Sequence, residues 1–231
     1  MLNISLIGYG KMGHIIEQTA LARHHNIVCT IDQGEEYKYD SEAFLSSDVA
    51  IEFSAPKSAV NNIRAAWLRS IPVVSGTTGW TDQLPTLQDE LKQNGQTLFW
   101  SANYSIGVNL FFELNRHLAQ LMRSYDYDIS IEEIHHIHKL DAPSGTAIVL
   151  ANDIKHILPS KPTEIESKRE GEVPGTHIVR YDSAADTIEI RHEAHSREGF
   201  AIGAVIAAEY TAKQAKLGKH GFYTMNDLLK L

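Results

Sequence analysis

One cysteine among 231 residues excludes an internal disulfide, which fits a reducing compartment and a cytoplasmic protein. That residue, Cys29, sits in the apolar run Ile27-Val28-Cys29-Thr30-Ile31 and reads as core rather than as a nucleophile. No stretch approaches the roughly 20 apolar residues needed to span a bilayer, so no membrane partner is expected. The N-terminal Met1-Leu2-Asn3-Ile4-Ser5-Leu6-Ile7 is apolar. It lacks a basic start and a signal cleavage pattern, and it reads as a buried first strand. Positive charge is also scarce: 21 Lys and Arg against 29 Asp and Glu give a formal net charge of -8. No basic stripe marks a nucleic-acid surface, although local basic groups can still serve a small anion. Internal repeats and low-complexity segments are missing. With 43% hydrophobic and 22% charged residues, the chain is neither disordered nor fibrous, and its length suits one large α/β domain or two modest ones.

What is present is an alternation. Apolar runs at Leu2 to Ile7, Ile27 to Ile31, Asp48 to Phe53, Pro72 to Ser75 and Leu98 to Ser101 read as strands. Between them lie helical patterns at Met12 to Arg23, Ser58 to Ser70 and Leu84 to Gln93. That rhythm predicts a doubly wound parallel sheet of the Rossmann type, an α/β fold. After Tyr104 the rhythm changes. A long helix is expected from Val108 to Ser124, a half-exposed strand from Asp128 to His135, and a second helix from Ala147 to Leu158. Polar Ser160 to Pro174 reads as a loop, and Thr176 to Tyr181, Thr187 to His195 and Ala201 to Ala208 as further strands or a strand-to-helix transition. These spans predict a smaller α+β domain with a mixed open sheet at 105–197, and a first domain built from 1–104 and 198–231.

Gly8-Tyr9-Gly10-Lys11-Met12-Gly13 follows a strand and opens a helix. In that setting the first glycine permits the tight turn, the second lets a pyrophosphate approach the backbone, and the third lets helix and strand pack closely. The helix start adds free N–H groups and partial positive charge. Asp32, at the end of the second strand, is placed to bind ribose hydroxyls. It favours NADH and repels the 2′-phosphate of NADPH, and Gln33 beside it adds no compensating charge, whereas Lys11 and Lys38 could. NADH is therefore favoured, with use of both cofactors left open. Gly76-Thr77-Thr78-Gly79 and Ser101-Ala102-Asn103-Tyr104-Ser105 follow the fourth and fifth strands, the edge where ligands of such sheets bind. Small residues there let backbone amides reach a nicotinamide carboxamide, and an aromatic ring can cover its face.

The densest chemistry is Glu132-Glu133-Ile134-His135-His136-Ile137-His138-Lys139-Leu140-Asp141-Ala142-Pro143-Ser144-Gly145-Thr146. A metal site is one reading, disfavoured because in a strand His136 and His138 share a face while His135 points away. A solvated polar strand end is another. The third is an acid/base and anion site, since imidazole titrates near neutrality, lysine can donate a proton or bind a carboxylate, and Ser144-Gly145-Thr146 lies where a helix begins.

This block resembles the signature of the 4-hydroxy-tetrahydrodipicolinate reductase (dihydrodipicolinate reductase) family, of the form E-x-H-H-x-x-K-x-D-x-P-S-G-T. The glycine fingerprint, Gly76-Thr77-Thr78-Gly79, Ala102-Asn103-Tyr104-Ser105 and the ending Gly221 to Leu229 follow the same family in order. The resemblance implies an NAD(P)H-dependent oxidoreductase of the lysine and diaminopimelate pathway, acting on a cyclic dicarboxylate. It implies His135 as acid/base, Lys139 as proton donor, and His136, Gly145 and Thr146 as holders of the substrate carboxylates. Gly8, Tyr9, Gly10, Lys11, Met12, Gly13, Asp32, Gly76, Thr77, Thr78, Ser101, Ala102, Asn103 and Tyr104 match the cofactor contacts, and no metal is implied. Arg197 matches an arginine position whose role is left open. A homotetramer built through the second domain's sheet is also implied. Because cofactor and substrate motifs fall in different domains, closure over the ligands is expected. An amino-acid dehydrogenase would need its own substrate signature. A non-catalytic NADH-binding regulator would keep its cofactor response when His135 and Lys139 are replaced.

Overall fold

A computed structural model describes all 231 residues. The chain divides into one unit of Met1–Ser105 with Phe200–Leu231 and a second of Ile106–Gly199.

The first unit alternates β1 (Asn3–Ile7), α1 (Lys11–Ala22), β2 (Asn26–Ile31), α2 (Glu42–Leu45), β3 (Val49–Glu52), α3 (Pro56–Trp67), β4 (Val73–Ser75), α4 (Leu84–Asn94) and β5 (Thr97–Trp100). Local chemistry sets the boundaries. Pro56 occupies the first turn of α3, where its missing N–H costs nothing, and α4 stops at Gly95 in the left-handed region. The second unit contains α5 (Ile106–Leu121), β6 (Asp128–His135), α6 (Gly145–Ile157), β7 (Thr163–Arg169), β8 (Gly175–Asp182) and β9 (Thr187–Ala194). The chain then returns through α7 (Glu198–Lys216), β10 (Gly221–Tyr223) and α8 (Met225–Leu229).

The first sheet has the order β10-β5-β4-β3-β1-β2, and every pairing in it is parallel. Its central strands are buried throughout, as Val-Ala-Ile-Glu in β3 and Val-Val-Ser in β4 show, because helices cover both faces. Each fully buried Ile or Val there contributes about 1.5–3 kcal/mol. Strand order reverses between β1 and β3, and a crevice at the carboxyl ends of strands opens at such a reversal. Cys29 is buried in this core, and burial pushes its thiol up. No helix is long and apolar enough to cross a membrane.

The second sheet, β7-β6-β8-β9, is mixed: β6 pairs parallel with β7 and antiparallel with β8. Residues of β6 alternate in burial, so Ile129, Ile131, Glu133 and His135 all point to the covered face. α5 and α6 pack there through Phe111, Leu118, Leu150 and Ile154.

One expectation fails and another is narrowed. Ser160 to Pro174 is not a loop, because Thr163–Arg169 forms the edge strand β7, aligned residue for residue with β6. Its charged residues disguise it: Glu164, Glu166 and Lys168 alternate with Ile165 and Ser167, a pattern that suits an edge. Ala201 to Ala208, left open between strand and a strand-to-helix transition, is helical throughout and lies within α7, whose small residues allow close approach. A Cβ at Gly203 would lie 1.7 Å from the Tyr104 carbonyl oxygen.

Candidate active site

In the first unit, the glycine turn after β1 is built as the spacing predicts. Gly8 has φ +88°, its amide donates to the Ile31 carbonyl (2.8 Å), and a Cβ on it would fall 2.1 Å from the Phe53 oxygen. A Cβ on Gly13 would lie 2.6 Å from the Gly8 oxygen, so helix and strand need this glycine to pack. Gly10 differs: nothing lies within 4 Å of a Cβ placed there. It is the N-cap of α1, with no capping side chain and no acidic residue in the first turn. Open space before uncapped amides fits a pyrophosphate.

A cleft of about 560 Å³ joins the ends of β1, β2 and β3, lined by Gly8, Gly10, Asp32, Glu36, Phe53 and Lys57 among others. A second, of about 230 Å³, is lined by Met12, Phe53, Ser54, Pro56, Gly76, Thr77 and Thr78. Tyr9 packs at a tilt against His14 and its hydroxyl donates to Glu17, while Lys11 is exposed at the start of α1. Phe53 lines both clefts and was missed by sequence reasoning. Its position at the end of β3 is the signal that could have found it.

Beneath these clefts Glu52 is fully buried and accepts from the Ser54 amide (3.0 Å) and from the hydroxyls of Ser54, Ser75 (2.6 Å) and Thr77 (2.8 Å). One carboxylate thus binds the loops after β3 and β4. After β5, the Ser101 hydroxyl donates to the Asn103 carbonyl, and Ala102 is exposed. Tyr104 is buried, between Phe53 and Phe99, and its hydroxyl donates to the Ser75 carbonyl (2.7 Å). Its ring therefore belongs to the core and cannot cover a ligand. Burial, then the nearby Glu52, holds its hydroxyl well above the ordinary value.

Around Asp32 the charge is acidic. Asp32 Oδ1 accepts from the Gln33 amide, the Asp32 amide donates to Glu35, and the Gly34 amide donates to Glu36. Lys38 is drawn away to Glu35 and the Thr30 carbonyl.

In the second unit, β6 ends at His135 and the chain turns, with the Lys139 amide donating to the His136 carbonyl (3.1 Å). The turn separates the three histidines. The rings of His136 and His138 are neighbours at 6.1 Å, and His138 pairs with Glu172. His135 is buried on the covered face, with Nδ1 2.7 Å from Glu133 Oε2 and its ring edge-on to His177 at 5.1 Å. Burial, joined by Lys139 and Arg169, lowers His135, while Glu133 pulls the other way. Burial raises the Glu133 carboxyl, yet hydrogen bonds from Ser144, Ser167 and Arg169 outweigh it and the net shift is downward. Burial and then His135 push His177 down to about 4.

Lys139 Nζ donates to Asp141 (2.8 Å), which lowers the Asp141 carboxyl. Ser144 caps α6, its hydroxyl accepting from the Ala147 amide (3.2 Å), so Gly145 and Thr146 form an exposed to half-exposed first turn with no acidic residue. Arg169, on the strand that sequence reasoning read as loop, bonds Glu133 (3.0 Å) and the carbonyls of Lys139 and Asp141. Without β7 in the topology no sequence signal singles it out. Arg197 is exposed beyond β9. Glu133, His135 and His177 bring one ligand-type atom each within 4.8 Å of one another. The Arg169 guanidinium, 3.0 Å from that carboxylate, competes with any cation there.

One unit with a switch-point cleft and an open glycine turn, and another with a buried acid–histidine pair and a capped helix start, define a dinucleotide-dependent oxidoreductase of two units. Residues 2–104 match the family profile for the N-terminus of dihydrodipicolinate reductase, and residues 107–229 match that for its C-terminus. The chain belongs to the dihydrodipicolinate reductase family. It is 46% identical over 240 residues to the 4-hydroxy-tetrahydrodipicolinate reductase of Christiangramia forsetii, covering 99% of this chain and 98% of that one. Identity to the same-named protein of Archaeoglobus fulgidus is 34%, over 96% of each. The fold is similar to a dipicolinate-bound dihydrodipicolinate reductase from Paenisporosarcina sp., with a TM-score of 0.76, 21% identity and 97% of both chains covered.

Proposed function

We propose that this protein reduces 4-hydroxy-tetrahydrodipicolinate to tetrahydrodipicolinate, with loss of water, in lysine and diaminopimelate biosynthesis. The observation that carries this reading is the joint presence of an open glycine turn in one unit and the His135–Glu133 pair beside the α6 start in the other. Both belong to a chain matched over nearly its whole length by reductases of that name.

The dinucleotide is held by the amides following Gly10, by Asp32 at the ribose, and by Gly76 to Thr78 and Ser101 to Asn103 at the nicotinamide end, and when bound it supplies the hydride. The acidic rim of Asp32, Glu35 and Glu36, with Lys38 already paired, supports NADH over NADPH.

Loss of water from the substrate leaves a conjugated imine. Adding hydride to it pushes electron density toward the ring nitrogen, so one proton must be delivered there for each hydride accepted. His135 and Lys139 are the residues assigned to that proton. His136, Lys139 and the first turn of α6 at Gly145 and Thr146 hold the two carboxylates and so orient the ring. The dipicolinate named for the solved relative is a cyclic dicarboxylate of this kind. The second unit's sheet is assigned the contacts of a homotetramer.

The test follows NADH and NADPH absorbance as purified protein meets substrate made in place by a synthase from pyruvate and aspartate semialdehyde. Synthase-dependent oxidation is expected, faster with NADH. Folded protein that binds NADH but oxidises neither cofactor overturns the assignment.

A further inference from the structure

Glu133 is fully buried, and its two carboxylate oxygens face different partners. Oε1 accepts from Arg169 (3.0 Å) and from the Ser144 amide (3.3 Å). Oε2 lies 2.7 Å from His135 Nδ1, and neither of those two buried atoms has another hydrogen-bond partner. At that separation each atom is the other's near polar neighbour inside the buried pocket. The opposite edge of the ring is equally constrained. A Cβ on Gly175 of β8 would sit 3.0 Å from His135 Nε2 and 3.3 Å from Cδ2. A third side is closed by His177, whose Nε2 is hydrogen-bonded to the Ser144 hydroxyl (3.1 Å).

We propose that Glu133 is a positioning residue that keeps a proton on His135 Nδ1, so that Nε2 is the working nitrogen, and that Gly175 keeps Nε2 accessible. This rests on the reading of His135 as the acid/base of the reductase. A neutral ring held in this way presents a bare Nε2, and a protonated ring presents an Nε2–H acid. The same carboxylate grips the Ser144 amide, so the proton-transfer group and the helix start that receives a substrate carboxylate share one anchor. Charged or titratable groups around the ring are Glu133 on its own strand, Lys139 in the following turn, Arg169 on β7 and His177 on β8, with His192 of β9 acting on His177.

Nitrogen-15 NMR of histidine-labelled protein without ligands reads the tautomer directly, with His135→Asn identifying the signals. Neutral His135 is expected as the Nδ1–H form. In Glu133→Gln the carboxamide can turn its NH2 toward Nδ1, and the ring should change to the Nε2–H form. A wild-type Nε2–H ring, or a tautomer indifferent to Glu133→Gln, overturns the proposal. In the coupled assay Glu133→Gln should lower kcat about 100-fold, as loss of alignment does, change the pH profile of kcat, and leave KM for NADH unaltered. Unaltered kcat and pH profile overturn the proposal as well. Gly175→Ala keeps the Glu133 contact and should lower kcat by about tenfold or more with the tautomer retained. Full activity there refutes the role of Nε2. If Glu133→Gln does not fold, the wild-type tautomer and Gly175→Ala decide the matter. Wild-type protein without reductase activity would remove the functional reading, while the tautomer measurement would still judge the pairing.

Discussion

Lys38 Nζ lies 2.7 Å from Glu35 Oε2 and also donates to the Thr30 carbonyl (3.1 Å). Its charge is therefore matched from within the same loop, a turn away from Asp32. A 2′-phosphate arriving beside Asp32 would meet Glu35 and Glu36, with Lys38 already paired. NADH should show the higher kcat/KM. Asp32→Ser with Gln33→Arg should move the NADPH-to-NADH ratio at least about tenfold, or about 1.4 kcal/mol. Steady-state rates with each cofactor check this, and equal wild-type rates would remove the argument.

Gly8 and Gly10 have different jobs, and alanine separates them. At Gly8 a methyl meets the Phe53 carbonyl at 2.1 Å in a left-handed conformation. Gly8→Ala should cost roughly 2–3 kcal/mol of stability. At Gly10 there is nothing for a methyl to strike within the protein. Gly10→Ala should melt like wild type, yet weaken NADH about tenfold by crowding the phosphates. Calorimetry and fluorescence titration of NADH distinguish the two outcomes.

Glu52 has its oxygens filled by donors from Ser54, Ser75 and Thr77. Glu52→Gln replaces one acceptor oxygen with a donor facing hydroxyls that already donate. A loss of about 1–3 kcal/mol in stability is expected, with a raised KM for NADH and a smaller change in kcat. A melting temperature and KM equal to wild type would show that the loops after β3 and β4 hold themselves.

His177 is lowered to about 4 by burial and by His135, and His135 is lowered too, against an ordinary value of 6.5. Between those values the unfolded chain binds more protons than the folded one, so stability rises with pH across the interval. It is complete above about pH 6.5 and declines as the pH falls toward 4. His177→Gln should flatten this decline by roughly 1–2 kcal/mol in urea unfolding between pH 6.5 and 4.5. A variant with the wild-type slope would place the acid sensitivity elsewhere.

The parallel sheet was legible because its strands are uninterrupted apolar runs ending at glycine or acid, as Leu6-Ile7-Gly8 and Thr30-Ile31-Asp32 show. The motif residues were legible for the same local reason. What escaped depends on tertiary context. β7 carries charge on its outer face, because Glu132 of the neighbouring strand supplies Lys168 with a partner across the sheet, and its sequence therefore looks like loop. Arg169 gains its meaning only once β7 lies beside β6. α7 is rich in small and β-branched residues because it must approach the Tyr104 backbone, and those residues imitate a strand. Tyr104 sits in a segment of small polar residues, but its ring fills the space between Phe53 and Phe99.

β10 joins the first sheet beside β5, with Gly221, Phe222 and Tyr223 opposite Thr97, Leu98 and Phe99. The first unit is thus assembled from both ends of the chain, whereas every strand of the second sheet lies between Asp128 and Ala194. During synthesis the ribosome releases the whole second sheet before α7 and β10 exist outside the exit tunnel. The inserted unit can therefore mature while the surrounding one still has an open edge at β5, which is closed only when β10 arrives. An exposed parallel edge is prone to wrong pairing, so the interval between the making of β5 and of β10 governs how long the nascent first unit stays vulnerable.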